Sequence, residues 1–271
     1  KVMLFSGAIA SRNEASYVLF GAPFDFSTTF IPGTRFGPNQ LRKFSAHFED
    51  YDPRTKTHFS ELLVHDFGDV IPESSHFPTY LDYLGGFITE VVNDDLIPII
   101  IGGEHTVNMA AIRALQPDTY ICLDAHLDLR NSYQDNSWSH ATSTLRALEV
   151  VDHAIIIGAR SGCEEEWERA TNGDITIVPP GEVHSWKPNL TGSIYFSIDI
   201  DAADSSIAPA TGTPEPFGLT AQEMLHVVRL VSPYASGFDI VEVNDRDSGQ
   251  TAILGAKLLR EFVHSHQNST S

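Results

Sequence analysis

The chain has 271 residues and a mass of 29.8 kDa, with 17 Lys and Arg against 36 Asp and Glu and a formal charge of −19. So acidic a protein repels phosphate backbones, which are bound by clustered Lys and Arg that displace counterions, and no nucleic-acid partner is expected. With 42% hydrophobic residues and two cysteines, Cys122 and Cys163, it can build a full core but has no disulfide framework and too few thiolates for a structural zinc site, so a cytoplasmic setting is expected.

From Lys1 to Ala10 there is no apolar run of the signal-peptide kind. The longest apolar stretch, Leu96 to Ile101, is far too short to span a bilayer, so no membrane partner is expected. Short β-branched runs predict strands at Tyr17–Phe20, Leu62–His65, Ile97–Ile101, Tyr120–Leu123, Ala154–Ile157, Ile175–Val178, Ile194–Ile200 and Phe238–Val243. Segments of helical period lie between and after them, at Pro38–Phe48, Tyr80–Val92, Glu104–Leu115, Ser139–Val150, Ala221–Val231 and Gln250–His264. Strands alternating with helices predict a doubly wound α/β fold with a parallel sheet. The Pro and Gly clusters at Ile31–Pro38 and Ala208–Gly218 are too short for linkers, so residues 1–271 are expected to form one domain. The tail from His264 to Ser271 is polar and is expected to fray.

Chemistry concentrates where predicted strands end. Asp124-Ala125-His126-Leu127-Asp128 follows the run Tyr120–Leu123, and alternation in an extended chain would turn Asp124, His126 and Asp128 to one side. Asp199 and Asp201 close the run Ile194–Ile200 in the same alternating way. Gly102-Gly103-Glu104-His105 forms a strand-to-helix turn that puts His105 at the mouth of the sheet. A single Asp-x-His is a weak sign, because Asp is common after strands as a turn or cap residue. In open parallel sheets, however, ligands bind beyond the carboxyl ends of strands, and three such ends carry only metal-ligand types. Two His and four Asp without Cys favour a hard divalent ion such as Mn²⁺ over thiolate-bound zinc. With two carboxylates bridging, the six residues suffice for two ions about 3.5–4 Å apart, which points to a binuclear hydrolase.

These motifs, together with Gly21-Ala22-Pro23-Phe24-Asp25, Pro32–Pro38, Ser197–Asp204, Thr211–Glu215 and Asp239–Asn244, resemble the ureohydrolase family, which includes arginase and agmatinase, over nearly the whole chain. Asp124–Arg130 leading to Trp138-Ser139-His140-Ala141 is most similar to the shorter, archaeal-type agmatinases. The resemblance implies a three-layer αβα fold with a parallel eight-stranded sheet, two Mn²⁺ per subunit, and hydrolysis of a guanidinium group to urea and an amine. Carried over by motif position, one ion is held by His105, Asp124, Asp128 and Asp199, and the other by His126, Asp124, Asp199 and Asp201. Asp124 and Asp199 bridge. His140, Glu242 and Asp128 are the catalytic candidates: Glu242 matches the carboxylate that pairs with the guanidinium, and His140 matches the proton shuttle. A homotrimer or homohexamer is implied as well. Ser205, Ala210 and Asp245 depart from the family pattern, where Pro, Gly and Pro are usual, which bears on loop shape more than on the ligands. Asp204 keeps its place in the motif and is expected to support the ligands rather than bind.

Agmatine, cleaved to putrescine and urea by attack of a metal-bridging hydroxide, is the expected substrate, since net charge favours a small dicationic guanidino compound. N1-aminopropylagmatine follows by the same logic; 4-guanidinobutyrate, arginine and a formimino compound such as formimidoylglutamate remain alternatives. The discriminating residue is Arg130, in the loop Leu129–Ser139: it would bind a substrate carboxylate or, as the favoured expectation, pair with a neighbouring Asp. Two other classes are a one-zinc deacetylase-like hydrolase and a silent ureohydrolase-like subunit, both of which usually lack the full ligand set. The nine other histidines, His47, His58, His65, His76, His153, His184, His226, His264 and His266, are expected to be solvated, Cys122 buried and Cys163 exposed in a loop, and Trp138 packed.

Overall fold

The computed structural model describes residues 3–71 and 76–270, and the side chains of residues 3–71 and 76–267. The sequence expectations for Lys1, Val2 and Ser271 fall outside these residues. In chain order the elements are β1 Tyr17–Ala22, α1 Gly37–Ser45, β2 Tyr51–Asp52, β3 Thr57–His58, β4 Val64–Asp69, α2 Phe77–Asn93, β5 Ile97–Gly102, α3 Asn108–Leu115, β6 Thr119–Leu123, α4 Ser143–Ala147, β7 His153–Ile157, α5 Glu164–Asn172, β8 Ile175–Val178, β9 Ile194–Asp199, α6 Ala221–Val231, β10 Ala235–Val241 and α7 Gln250–Thr270. Strands β2 and β3 form a small antiparallel ribbon; the other eight make one parallel sheet in the order β4-β1-β5-β10-β9-β6-β7-β8.

The sheet is covered on both faces, and successive residues of each strand feed opposite layers. Leu19, Ile99, Ile101, Ile121, Ile198 and Ile240 pack with Leu41 of α1, Val227 of α6 and Leu259 of α7. Val18, Phe20, Ile100, Tyr120, Tyr195 and Val241 pack with Leu84 of α2, Met109 of α3 and Ala147 of α4. That double burial is why these strands read as continuous apolar runs. Each such side chain contributes roughly 1.5–3 kcal/mol of burial. The result is the expected three-layer αβα sandwich around a parallel eight-stranded sheet.

Several expectations need correcting. The run Phe238–Val243 stops being strand at Val241 because Glu242 takes φ +62°, and the run Ile194–Ile200 stops at Asp199, whose side chain caps a 3-10 turn, Ile200–Ala202. The segments Glu104–Leu115 and Ser139–Val150 begin as 3-10 turns, His105–Val107 and His140–Thr142, before α3 and α4. Helix α5 was not expected, since among its residues only Trp167 and Ala170 are apolar; its acidic first turn, Glu164 to Glu166, suits the positive end of the helix dipole, and Glu166 accepts from the Cys163 N–H at 2.9 Å. The C-terminal segment does not fray at His264. Helix α7 runs to Thr270, and His264 and His266 are buried rather than solvated. Their partners come from far along the chain: His266 Nδ1 lies 2.8 Å from the Tyr17 hydroxyl and Nε2 3.1 Å from the Ala235 carbonyl, while His264 Nδ1 lies 3.2 Å from Thr57 Oγ1. Among the described residues no helix is long and apolar enough to cross a membrane.

Candidate metal centre

Strands β5, β10, β9 and β6 are neighbours in the centre of the sheet, and their carboxyl ends deliver His105, Glu242, Asp199 with Asp201, and Asp124 with His126 and Asp128 respectively. The convergence is made by turns rather than by strand alternation. Beyond β6 the chain leaves extended geometry: Asp124 Oδ1 accepts the His126 N–H at 2.6 Å, and Asp128 takes φ +52°. Beyond β9, Asp199 Oδ1 accepts the Asp201 N–H at 3.0 Å. At Gly103 the backbone passes so close to the β1 loop that a Cβ would lie 1.9 Å from the Phe24 carbonyl oxygen, so no larger residue fits before Glu104 and His105.

The six expected ligands come together. His105 Nδ1 lies 3.1 Å from Asp124 Oδ2, 3.2 Å from Asp128 Oδ2 and 3.4 Å from Asp199 Oδ2, and His126 Nδ1 lies 3.0 Å from Asp201 Oδ2 and 3.7 Å from Asp124 Oδ1. Asp124 thus presents one oxygen to each imidazole. Apart from His126, which is partly open, all are buried. His105 Nδ1 has no hydrogen-bond partner although it is enclosed by three carboxylates. Its other nitrogen is tied down: Ser197 donates its hydroxyl to Asp239 Oδ1 at 2.6 Å, so the Ser197 oxygen accepts from His105 Nε2 at 3.3 Å, with the Tyr120 hydroxyl 3.0 Å away. That leaves the Nδ1 lone pair facing the carboxylates, the arrangement in which outer polar groups orient a metal-binding imidazole.

The electrostatics of the cluster favours positive charge beside it. Burial, then the neighbouring Asp124 charge, pushes the Asp128 carboxyl up to about 7, and burial with Asp201 and Asp124 raises Asp199 well above the carboxylate range. Burial works against Asp124 as well, but the adjoining His105 and His126 imidazoles hold its pKa below the usual value. Four clustered carboxylates in a dry site carry a large cost unless cations share it. Oxygen and imidazole donors of this kind fit hard divalent ions. The atoms of His105, Cys122 and Asp124 also lie close enough for a shared ion, but Cys122 Sγ, 3.6 Å from His105 Nε2 and donating to Asp124 Oδ2 at 3.9 Å, has its thiol pushed by burial up to about 12, so it stays protonated.

A cavity of about 310 Å³ opens over the ligands, lined also by His140, Glu242, Arg130, Tyr133, Cys163 and Glu166. Glu242, buried, donates its N–H to the Gly103 carbonyl at 2.8 Å and accepts the His105 N–H on Oε1 at 2.9 Å; burial, then the charge of Glu104, raises its pKa. Burial above all lowers His140 to about 4. Arg130 pairs with Glu166 rather than with an Asp, Nε to Oε2 at 3.3 Å, and its guanidinium lies 4.9 Å over the Tyr133 ring. Asp204 is not among the expected ligands; it accepts from the Ser206 hydroxyl and from the Ser206 and Gly218 N–H groups, the latter two at 3.0 and 3.1 Å, which together hold its pKa down at about 2, and so shapes a loop. Cys122 and Trp138 meet expectation, the one buried and the other packed on Phe77, while Cys163 is half-buried.

Three residues to which the sequence assigned no role organise the site. Asp239, the first residue of the motif Asp239–Asn244, is a buried acid within β10. Arg160 donates to six carbonyls from three segments, Gly158, Asp201 to Ala203, and Glu215 with Pro216, at 2.9–3.2 Å. Glu104 accepts from Ser27, which in turn contacts His140. Such long-range contacts leave no local pattern in the sequence.

Comparison with known proteins agrees in fold and motif. The model of the arginase family matches residues 15–264. The N(1)-aminopropylagmatine ureohydrolase of Thermococcus kodakarensis is 36% identical over 261 residues, 93% of this chain and 91% of that one. An agmatinase of Pyrococcus horikoshii is 36% identical over 257 residues, 91% of this chain and 90% of that one. Among solved structures, the agmatine ureohydrolase of Thermoplasma volcanium superposes with a TM-score of 0.93 at 31% identity, covering 100% of this chain and 96% of that one.

Proposed function

The chain belongs to the arginase family and is a hydrolase acting on amidine C–N bonds, and on that premise we propose that it cleaves the guanidinium group of agmatine to putrescine and urea. The observation that carries the reading is the buried imidazole of His105, its free Nδ1 facing three carboxylates, beside a second imidazole that shares Asp124 with it. In this reading His105, Asp124, Asp128 and Asp199 hold one Mn²⁺, and His126, Asp124, Asp199 and Asp201 the other. Two bound cations supply Lewis acidity and lower the pKa of water, which a poorly electrophilic guanidinium carbon requires.

The chain's own groups do the rest. Glu242, as a carboxylate, pairs with the planar guanidinium in a buried site where a charge-assisted bidentate contact fixes the orientation of the reacting carbon. His140, neutral at working pH, relays a proton to the departing amine nitrogen, so that guanidinium plus water becomes urea plus a protonated amine. Arg130 is neutralised by Glu166 and stacked on Tyr133, which argues against a substrate carboxylate and therefore against arginine and 4-guanidinobutyrate. A cytoplasmic homo-oligomer remains part of the proposal.

N1-aminopropylagmatine is the second reading. It is favoured by the Thermococcus relative and by a further cavity of about 230 Å³ that shares Arg130, Cys163 and Glu166 with the first. Urea release from the Mn²⁺-loaded protein, measured in parallel with agmatine, N1-aminopropylagmatine, arginine and 4-guanidinobutyrate, tests both readings. Turnover of either dicationic compound above the other two supports the assignment, and preference for a carboxylate substrate overturns it.

A further inference from the structure

Glu104 has no place in the ligand set, yet it is fully buried beside β5, and three donors converge on it. Ser27 donates its N–H to Oε2 at 2.6 Å and its hydroxyl to Oε1 at 2.8 Å, and the Thr106 hydroxyl reaches Oε1 at 2.6 Å. A carboxylate accepts all three. Ser27 has then given away its only hydroxyl proton, and its oxygen can act toward other groups only as an acceptor.

His140 is the group it meets. The His140 N–H donates to Ser27 Oγ at 2.9 Å, and His140 Nδ1 lies 3.2 Å from the same oxygen. We infer that Ser27, polarised by Glu104, is a positioning residue that holds His140 in the tautomer with its proton on Nδ1 and its lone pair on Nε2. Asp239 and Ser197 act in the same way on His105, a carboxylate fixing a hydroxyl and the hydroxyl fixing an imidazole. The inference gives content to the proton-relay role proposed for His140: Nε2 takes up and passes on a proton while Nδ1–H stays anchored to the β1–α1 loop that carries Ser27.

The test is the imidazole ¹⁵N spectrum of the full-length, metal-free, diamagnetic protein at pH 8, with the His140 signals identified by their loss in His140→Ala. The wild type should show a protonated Nδ1 and a bare Nε2, and Ser27→Ala should lose that preference. An Nε2–H tautomer in the wild type, or an unchanged tautomer in Ser27→Ala, overturns the inference. Turnover gives a second readout. Ser27→Ala should lower kcat about tenfold, less than the roughly 10²–10⁴-fold contribution of a positioned proton relay itself, with KM within about twofold. Ser27→Thr should restore most of the loss, and Ser27→Ala should cost nothing further in a His140→Ala background. Losses that multiply there would mean that Ser27 does not act through His140. The spectra decide the tautomer whether or not urea is formed, so absence of urea in the wild type overturns the proposed reaction alone.

Discussion

Replacing Arg160 by Ala should destabilise the protein and loosen one side of the ligand cluster. Its guanidinium bonds the carbonyls of Gly158, Asp201, Ala202, Ala203, Glu215 and Pro216, and a Cβ on Gly218 would stand only 2.5 Å from Nη2, so the loops are built around it. Hydrogen bonds to a charged group contribute about 1.5–3 kcal/mol each, but six sharing one fork do not add, and water re-enters beside a half-buried side chain; about 3–5 kcal/mol is the net expectation. At this chain length about 1 kcal/mol moves the midpoint by about 2 °C, so calorimetry of the metal-free protein should show a fall of about 6–10 °C. Because Arg160 grips the turn that carries Asp201, the second Mn²⁺ should also bind more weakly by isothermal titration, and Arg160→Lys, with fewer donors and no fork, should fall between. A shift below about 2 °C with unchanged Mn²⁺ binding would show that the carbonyl clamp does not support the site.

Glu242→Ala should keep two Mn²⁺ per chain and lose about 10²–10³-fold in kcat/KM for agmatine, the consequence of removing a buried charge partner worth about 3–4 kcal/mol; activity within threefold of wild type would refute its pairing role. Without metal, the Asp128 carboxyl stays protonated up to about 7, whereas in the unfolded chain it ionises near ~3.9, so the folded state holds the extra proton and this group's contribution to stability declines as pH rises through that window. Mn²⁺ binding requires the ionised form, and the gap between melts with Mn²⁺ and with chelator should therefore widen from pH 5 to pH 8; a constant gap would contradict the pairing. Ser197→Ala should free His105 Nε2 from its relay and weaken Mn²⁺ affinity about 10–100-fold with little change in Glu242-dependent KM, which metal titration and steady-state kinetics would separate.

The sheet was legible because parallel strands buried on both faces are largely apolar, as β1 is throughout and β9 is from Ile194 to Phe196. The candidate ligands stood out in the sequence because they are Asp and His directly after such strands, set against apolar sequence. How they meet was not, since the positive φ of Asp128 and Glu242 and the caps of Asp124 and Asp199 are backbone events that alternation does not foretell. Helix α5 escaped because its acidic exposed residues mask a narrow apolar stripe, and the last turns of α7 escaped because the polar partners of His266 lie about 250 and 30 residues away in the chain, at Tyr17 and Ala235. Ser27 and Arg160 are legible only in three dimensions: one acts through a hydroxyl on a distant imidazole, the other through backbone carbonyls that carry no residue identity.

The central claim is that six side chains hold two divalent ions that make this chain a ureohydrolase. Its most direct test is urea release from agmatine as a function of Mn²⁺ added to chelator-stripped protein, with bound metal counted in the same samples. Activity that is absent in the stripped protein and reaches its plateau at two bound Mn²⁺ per chain is the expected result. Full turnover without metal, a plateau at one ion, or two bound ions and no urea from agmatine or its aminopropyl derivative would contradict it.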